Sequence, residues 1–241
     1  MTYSIAGRCA RTGMLGSIVT TSSIAVGNRC QFAKAKVGAV LTQHRTDPRL
    51  GPLGLQFLDL GLSAEETIEA LVASTPHHAW RQLAAIDAQG RSAHYSGGNI
   101  RSIHAGVSGT DCVAIGNVVK STEVPAAMVR AFEAQPGKPL GDRLCAALEA
   151  GHAAGGEFKQ VTSAGLLIVH EHAFPYVDLR ADDHPDPIAE IARLWALYAP
   201  TADNYVKRVL EPDSPEANAL SVGYLTADEA RAALAKEKAS R

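Results

Sequence analysis

TYSIAGRCARTGMLGSIVTTSS, Thr2–Ser23, is the stretch on which the reading of this chain turns. Tyr3 and Ile5 on one side of ARTG, and Leu15, Ile18 and Val19 on the other, supply a buried hairpin from the first position. Chains more often begin with a few unanchored residues. Strands are expected over Thr2–Cys9 and Leu15–Thr21, with the turn at Ala10-Arg11-Thr12-Gly13, where glycine supplies a positive φ. Thr2 then has two readings. It is a β-former opening a strand, or it is a hydroxyl residue that becomes the chain terminus when Met1 is removed.

Working outward, KVGAVLT at Lys36–Thr42 is small and β-branched and suits a buried strand. The stretch from His44 to Gly54, HRTDPRLGPLG, is dense in proline and glycine and is expected to be an ordered loop. LQFLDLG reads as helical. SAEE at Ser63–Glu66 is a capping box that opens a helix through Ile68, Leu71 and Val72. RQLAAID and RSAHYSG make a hairpin over Arg81–Gly97, turned near Asp87 and Gly90. DCVAI, from Asp111 to Ile115, is a short strand ending at Gly116-Asn117. Helices follow over Glu123–Ala134 and Leu140–Ala150, the second with Leu144 and Leu148 on one stripe.

Strands return over Ser163–Val169 and Tyr176–Leu179. Asp186-Pro187 opens a helix through Ile188, Ile191, Leu194 and Trp195. TADE at Thr226–Glu229 caps a last helix in a more polar tail. Strands, then helices, then strands again, without βαβ alternation, point to an α+β fold with antiparallel sheets. The organisation expected is one domain over residues 1–199 with a helical extension over 200–241 packed on it.

The 241 residues are 46% hydrophobic, ample for a core, and carry a net charge of −2. That balance gives no global field for nucleic acid or an anionic membrane surface. No apolar run reaches the length of a bilayer span, and the N-terminus lacks the basic-then-apolar pattern of a signal peptide. Cys9, Cys30, Cys112 and Cys145 are scattered, with no C-x-x-C pair, against a zinc knuckle or a disulfide framework. A cytoplasmic protein without a cofactor is expected.

The same stretches resemble a known family. TYSIAGRCARTGMLGSIVTTS, AVG at Ala25–Gly27, VGAVLTQHRTDPRLGPLGL, RQLAAIDAQGR, Gly116-Asn117, RLCAALEAG, AAGG and VDLRADDHPDPIAEIARL are similar, in order, to the bacterial domain of unknown function 1028, an N-terminal-nucleophile (Ntn) hydrolase-like family. The resemblance implies a four-layer αββα sandwich of two antiparallel sheets. It lends no assigned reaction. After AAGG, family members carry a basic, glycine-containing run before Gln-Ser-Ala. Here the run is EFKQVTSA, Glu157–Ala164, without that glycine and most of that charge.

The Ntn likeness implies that Thr2, freed of Met1, is nucleophile and base in one residue. Its hydroxyl would attack an amide while its α-amine, of reference pKa near 8, takes the proton. Proteasome-like relatives place an acid at the end of the second strand and a lysine at the start of the third. By strand order these positions fall here on Ser22 or Ser23 and on Lys36 or Lys34, so the acid is absent and only the cation remains. Lys36 would lower the hydroxyl pKa, or else be a solvated strand-edge lysine. Thr42, Gln43 and His44 fall where an oxyanion donor is needed, Gln43 with its side-chain amide. Asn117 is expected beside the nucleophile, or simply in a turn.

Ser22, Ser23, His44 and Asp47 are the expected substrate-binding residues. DLRADDHPDP, Asp178–Pro187, invites a metal reading, but helix capping explains it better; no metal is expected. The resulting expectation is an amidohydrolase acting on a small amide or peptide-like ligand, built as a homodimer or higher homo-oligomer. The alternative is a non-catalytic binding or assembly protein on the same fold.

Overall fold

The computed structural model describes residues 1–214 and 227–239. Two antiparallel sheets organise the first compact unit, Met1–Ala196. The larger runs β10-β9-β2-β1-β8-β7, with β1 Thr2–Arg8, β2 Leu15–Thr21, β7 His104–Gly109, β8 Cys112–Asn117, β9 Ser163–Val169 and β10 Val177–Ala181. The smaller runs β3-β4-β5-β6, with β3 Gln31–Lys34, β4 Gly38–His44, β5 Arg81–Asp87 and β6 Ser92–Ser96. Every pairing is antiparallel.

The inner faces of the sheets meet through one buried cluster that includes Ala6, Leu15, Leu41, Ala84, Ile86, Val113 and Ile115. Helices α1 (Leu50–Asp59) and α2 (Ala64–Ala73) cover the outer face of the smaller sheet. There Val40, Leu83 and Ala85 pack with Leu50, Leu58, Ile68 and Leu71. Helices α3 (Glu123–Glu133) and α4 (Leu140–Ala153) lie against β1, β2, β7, β8 and β9 on the other side. Strands buried on both faces lose the apolar–polar alternation of a half-exposed sheet, which is why β1 and β2 read as near-continuous apolar runs.

Helix α5, Pro187–Tyr198, starts as expected after Asp186, whose Oδ1 accepts from the Ala189 N–H at 3.2 Å. The second unit, Leu197–Arg241, contains α6 (Ala202–Leu210) and α7 (Ala227–Ala239). Thr226, the expected cap of α7, lies outside the described residues.

Two local expectations give way, and one stretch left unassigned from the sequence is a strand. The proline-rich stretch read as a loop to Gly54 is helical from Leu50. The Asp47 carboxylate accepts the Arg49 N–H at 3.2 Å and the Asp47 carbonyl accepts the Leu50 N–H at 3.1 Å. Pro52 sits in the first turn, where a missing donor costs nothing. The glycine- and serine-rich run after Gly97 contains strand β7, paired to β8 alone at the sheet edge. The strand expected from Lys36 begins at Gly38 as β4, and an unexpected strand, β3, precedes it and turns back through Ala35–Val37, with Lys36 at φ 64° in the turn.

Candidate functional site

Successive side chains of a strand alternate between faces, so positions two apart share the space between the sheets. In β1 these are Thr2, Ser4 and Ala6; in β2, Leu15, Ser17, Val19 and Thr21; in β4, Ala39, Leu41 and Gln43; in β5, Gln82, Ala84 and Ile86; in β8, Val113, Ile115 and Asn117. The apolar members form the inter-sheet core. Five polar members, Thr2, Thr21, Gln43, Gln82 and Asn117, fall at one end of these five strands, with Ser4 and Ser17 farther in. Register holds them together: Thr2 pairs with Asn117, Gln43 with Gln82, and Tyr3 with Thr20, which sets Thr21 beside Thr2.

Gln82 is the knot of this cluster. Its Oε1 accepts from Gln43 Nε2 at 2.7 Å and from Asn117 Nδ2 at 3.0 Å. Its Nε2 shares its protons among Ser96 Oγ (3.1 Å), the Ala105 carbonyl (3.1 Å) and the Gly116 carbonyl (3.0 Å). Gln43 Nε2 also donates to the Thr2 carbonyl at 3.4 Å, and its Oε1 accepts from Ser4 Oγ at 2.8 Å. Both N–H groups of Gln43 are thus engaged inward. It holds β1 in place and does not present the oxyanion donor expected of it. Asn117 is where it was expected, across from Thr2, and its buried Oδ1 has no partner.

A carboxyl from a distant part of the chain meets the end of β2. Glu157, 4% exposed, opens the divergent EFKQVTSA stretch. Its Oε2 accepts the Ser22 N–H at 3.1 Å, while its buried Oε1 has no partner. Burial pushes this carboxyl up to about 7, against the lowering pull of the Ser22 hydrogen bonds and the chain's α-amine. The α-amine is itself lowered by burial, with the Glu157 charge opposing that shift. With Met1 in place, the hydroxyls of Thr2 and Thr21 both donate to the Met1 carbonyl. Tyr3 places its hydroxyl 3.3 Å from His152 Nδ1, and burial, then Glu157, raises the phenol above its usual range.

The other expected residues divide. Lys36 is exposed in the β3–β4 turn, at the far end of β4 from Gln43. The five steps of extended strand from Gly38 to Gln43 already span about 16 Å, so no lysine reaches Thr2 from that turn. Lys34 pairs with Asp59 at 2.7 Å. Ser22 belongs to the site through its backbone N–H, whereas Ser23 Oγ accepts from Arg29 at 2.7 Å. Asp47 is ion-paired to Arg49 at 2.8 Å and Arg81 at 3.6 Å, and these pairs, Arg49's hydrogen bond first, hold its carboxyl below the usual range. It fixes the β4–α1 connection, and its carboxylate is spent on these arginines.

His44 follows Gln43 at φ 60°, and Val118 follows Asn117 at φ 54°. A β-branched residue in the left-handed region is rare and costly, and such strain gathers at functional sites. His44 Nδ1 donates to the Trp80 carbonyl at 2.8 Å, and burial keeps this imidazole below its usual range.

The chemistry available is therefore a buried hydroxyl pair, a carboxyl poised near neutrality and an amide network behind them. Among the described residues, no three His, Cys, Asp or Glu side chains gather as metal ligands. None of the described helices is long and apolar enough to cross a membrane. The four cysteines are buried and unbridged. Sequence reasoning missed Glu157 because it sought the acid at a strand end. It missed Gln82 although a glutamine opening the otherwise apolar alternation Gln82-Ala84-Ile86 was a visible signal.

Residues 2–191 match a family model described as "Family of unknown function (DUF1028)". A crystal structure of a Silicibacter pomeroyi protein of the same family model is similar, with a TM-score of 0.77 and 30% identity over 82% of this chain and 86% of that one. The ancestral β-subunit Anbu from Yersinia bercovieri matches with a TM-score of 0.35 and 12% identity, over 83% of this chain and 95% of its own. No curated protein matches.

Proposed function

The chain belongs to the DUF1028 family, and from that premise, which brings no reaction with it, we propose that it is an amide-bond hydrolase of the N-terminal-nucleophile type. The layered packing of helices on two antiparallel sheets supports an αββα sandwich of that class. The observation that carries the reading is Glu157, a buried carboxyl with one unpartnered oxygen. It is within electrostatic reach of the chain's α-amine and hydrogen-bonded to Ser22, just past the β2 end that lies beside Thr2.

Removal of Met1 transfers the free α-amine to Thr2. The Thr2 hydroxyl then attacks the substrate carbonyl, giving its proton to that amine. The Oγ1–C bond forms, the C–N bond breaks, and the amine returns the proton to the leaving nitrogen. Water, deprotonated by the same amine, cleaves the acyl ester and restores the hydroxyl. Glu157 holds the α-ammonium in register, and its raised pKa suits proton traffic near neutrality. Gln43, Gln82 and Asn117 fix the β1 end against both sheets. The unbridged cysteines favour a reducing compartment such as the cytoplasm.

A second reading rests on the hydroxyls of Thr2 and Thr21. Both donate to the Met1 carbonyl, so a chain that keeps Met1 has no free nucleophile and is read as a non-catalytic binding or assembly protein. Intact mass of protein from its native host decides between them. The hydrolase reading expects a mass short by one methionine, turnover of at least one member of an N-acyl amino acid library, loss of about 1,000-fold or more in Thr2→Ala, and partial activity in Thr2→Ser. A retained Met1 in the native protein, or a Thr2→Ala variant as active as the parent, overturns it.

A further inference from the structure

The rim around Thr2 carries more positive than negative charge, and its charges are not equally engaged. Thr2 pairs with Asn117, and Asn117 with His104, across the larger sheet. His44 and Arg81 face each other at the matching end of the smaller sheet. Gln82 ties the two ends together through its bonds to Gln43 and Asn117. Among the described residues, two carboxylates stand at this rim. Asp47 is taken up by Arg49 and Arg81. Glu157 is buried beside the α-amine.

Arg45 is left over. It is exposed, its guanidinium carbon lies 5.1 Å from the centroid of the Trp80 ring, and no carboxylate among the described residues pairs with it. Trp80 in turn lies parallel to His44, with 5° between the rings. A guanidinium laid on an aromatic face has its plane fixed while its N–H edge stays free, the arrangement that takes a carboxylate by two parallel hydrogen bonds. His44 and His104 both give their Nδ1–H to carbonyls, of Trp80 and Ser102 at 2.8 Å each. That fixes the tautomer and leaves Nε2 as the free nitrogen of each ring. His44 also senses the α-amine, Arg45 and His104 as neighbouring positive groups.

We infer that the amide taken by this site carries a free carboxylate, bound by Arg45 on its Trp80 platform at the rim beside Thr2. The inference rests on the hydrolase reading and narrows its substrate to acylated amino acids and peptides with a free acid. Arg29, whose charge also acts on the α-amine, spends its N–H groups on the Ile24 and Ala25 carbonyls and Ser23 Oγ. Arg45 with two imidazoles matches a monoanion, whereas a phosphate dianion would call for more fixed positive charge.

The test uses the full chain as Thr2→Ala, so that bound amides survive. Titration calorimetry compares N-acetyl amino acids as free acids, the same compounds as carboxamides, and inorganic phosphate. The expected result is that free acids bind about tenfold or more tightly than the matched carboxamides. Arg45→Gln should erase that difference. Arg45→Lys should restore only part of it, and Arg49→Gln, at an arginine already paired with Asp47, should leave it intact. Equal binding of acids and carboxamides, no binding by any member, or tighter binding of phosphate overturns the inference. Turnover by the parent chain separates the two readings. Hydrolysis without acid preference sinks the carboxylate assignment alone. Acid preference that depends on Arg45, without hydrolysis, sinks the hydrolase alone and leaves an anion-recognising pocket.

Discussion

The Ser22 N–H points at Glu157 Oε2 across 3.1 Å, joining the end of β2 to a loop 135 residues later. That hydrogen bond favours the ionised carboxyl, yet burial outweighs it and the group titrates near 7 in place of the ordinary 4.5. The folded state therefore holds a proton that the unfolded chain releases near pH 4.5. Stability falls as pH rises through the interval between those values, and the cost is complete above it. Glu157→Gln keeps an acceptor for Ser22 and removes the titration. Its unfolding midpoint should vary less between pH 4.5 and 7 than that of the parent, with the variant the more stable of the two at pH 8. Melting curves across that range check this; parallel curves would mean that Glu157 is ionised well below 7.

Gln82 is fully buried and serves two sheets at once. Gln82→Met keeps roughly its volume but leaves the Gly116 and Ala105 carbonyls and the Gln43 and Asn117 amides short of a partner. A buried group left unsatisfied costs about 1–3 kcal/mol, and relaxation recovers part of the sum. A loss of about 3 kcal/mol in urea, with an unchanged denaturant slope, is the expected outcome. A loss under 1 kcal/mol would show that water replaces the side chain.

Ser63 shows what local chemistry makes legible. The S-x-x-E spacing predicts a capping box, and both of its bonds are present: Ser63 Oγ accepts from the Glu66 N–H at 3.3 Å, and Glu66 accepts from the Ser63 N–H at 2.7 Å. Ser63→Ala removes the first and keeps the second, so the expected loss is about 1 kcal/mol. Thermal unfolding measures it, and Ser63→Asp should recover most of the loss.

The same logic explains what was not legible. The hairpin of β1 and β2, the hairpin of β5 and β6 and the Asp186 cap are each written in a few adjacent residues. Strand β7 is not, because His104–Gly109 is short and glycine-bearing, and it is a strand only by pairing with β8. The site divides likewise. Thr2 and Asn117 fall at strand ends that alternation and order locate. Glu157 enters from a loop, and its role depends on a desolvation that no spacing encodes. Lys36 was misplaced because β3, Gln31–Lys34, was not read and β4 was begun two residues early, which moved the lysine from a turn to a strand start.

Gly51 sets two magnitudes against each other. It lies in the first turn of α1, and an added Cβ would stand 2.1 Å from Cδ2 of Phe32 on β3. In an exposed helix, alanine is favoured over glycine by up to about 1 kcal/mol. Here the ring would have to leave its place between the helix and the sheet edge, and overpacking of that kind costs about 1–3 kcal/mol. The larger effect wins, so Gly51→Ala should destabilise the chain by about 1–2 kcal/mol despite the better helix former. Gly137→Ala, where nothing lies within 4 Å of the new methyl, is the matched control and should be near neutral. Adding Phe32→Leu to Gly51→Ala should return part of the loss, because the smaller side chain vacates the space the methyl needs. A double variant no more stable than Gly51→Ala alone would place the strain in the helix backbone and not in the ring.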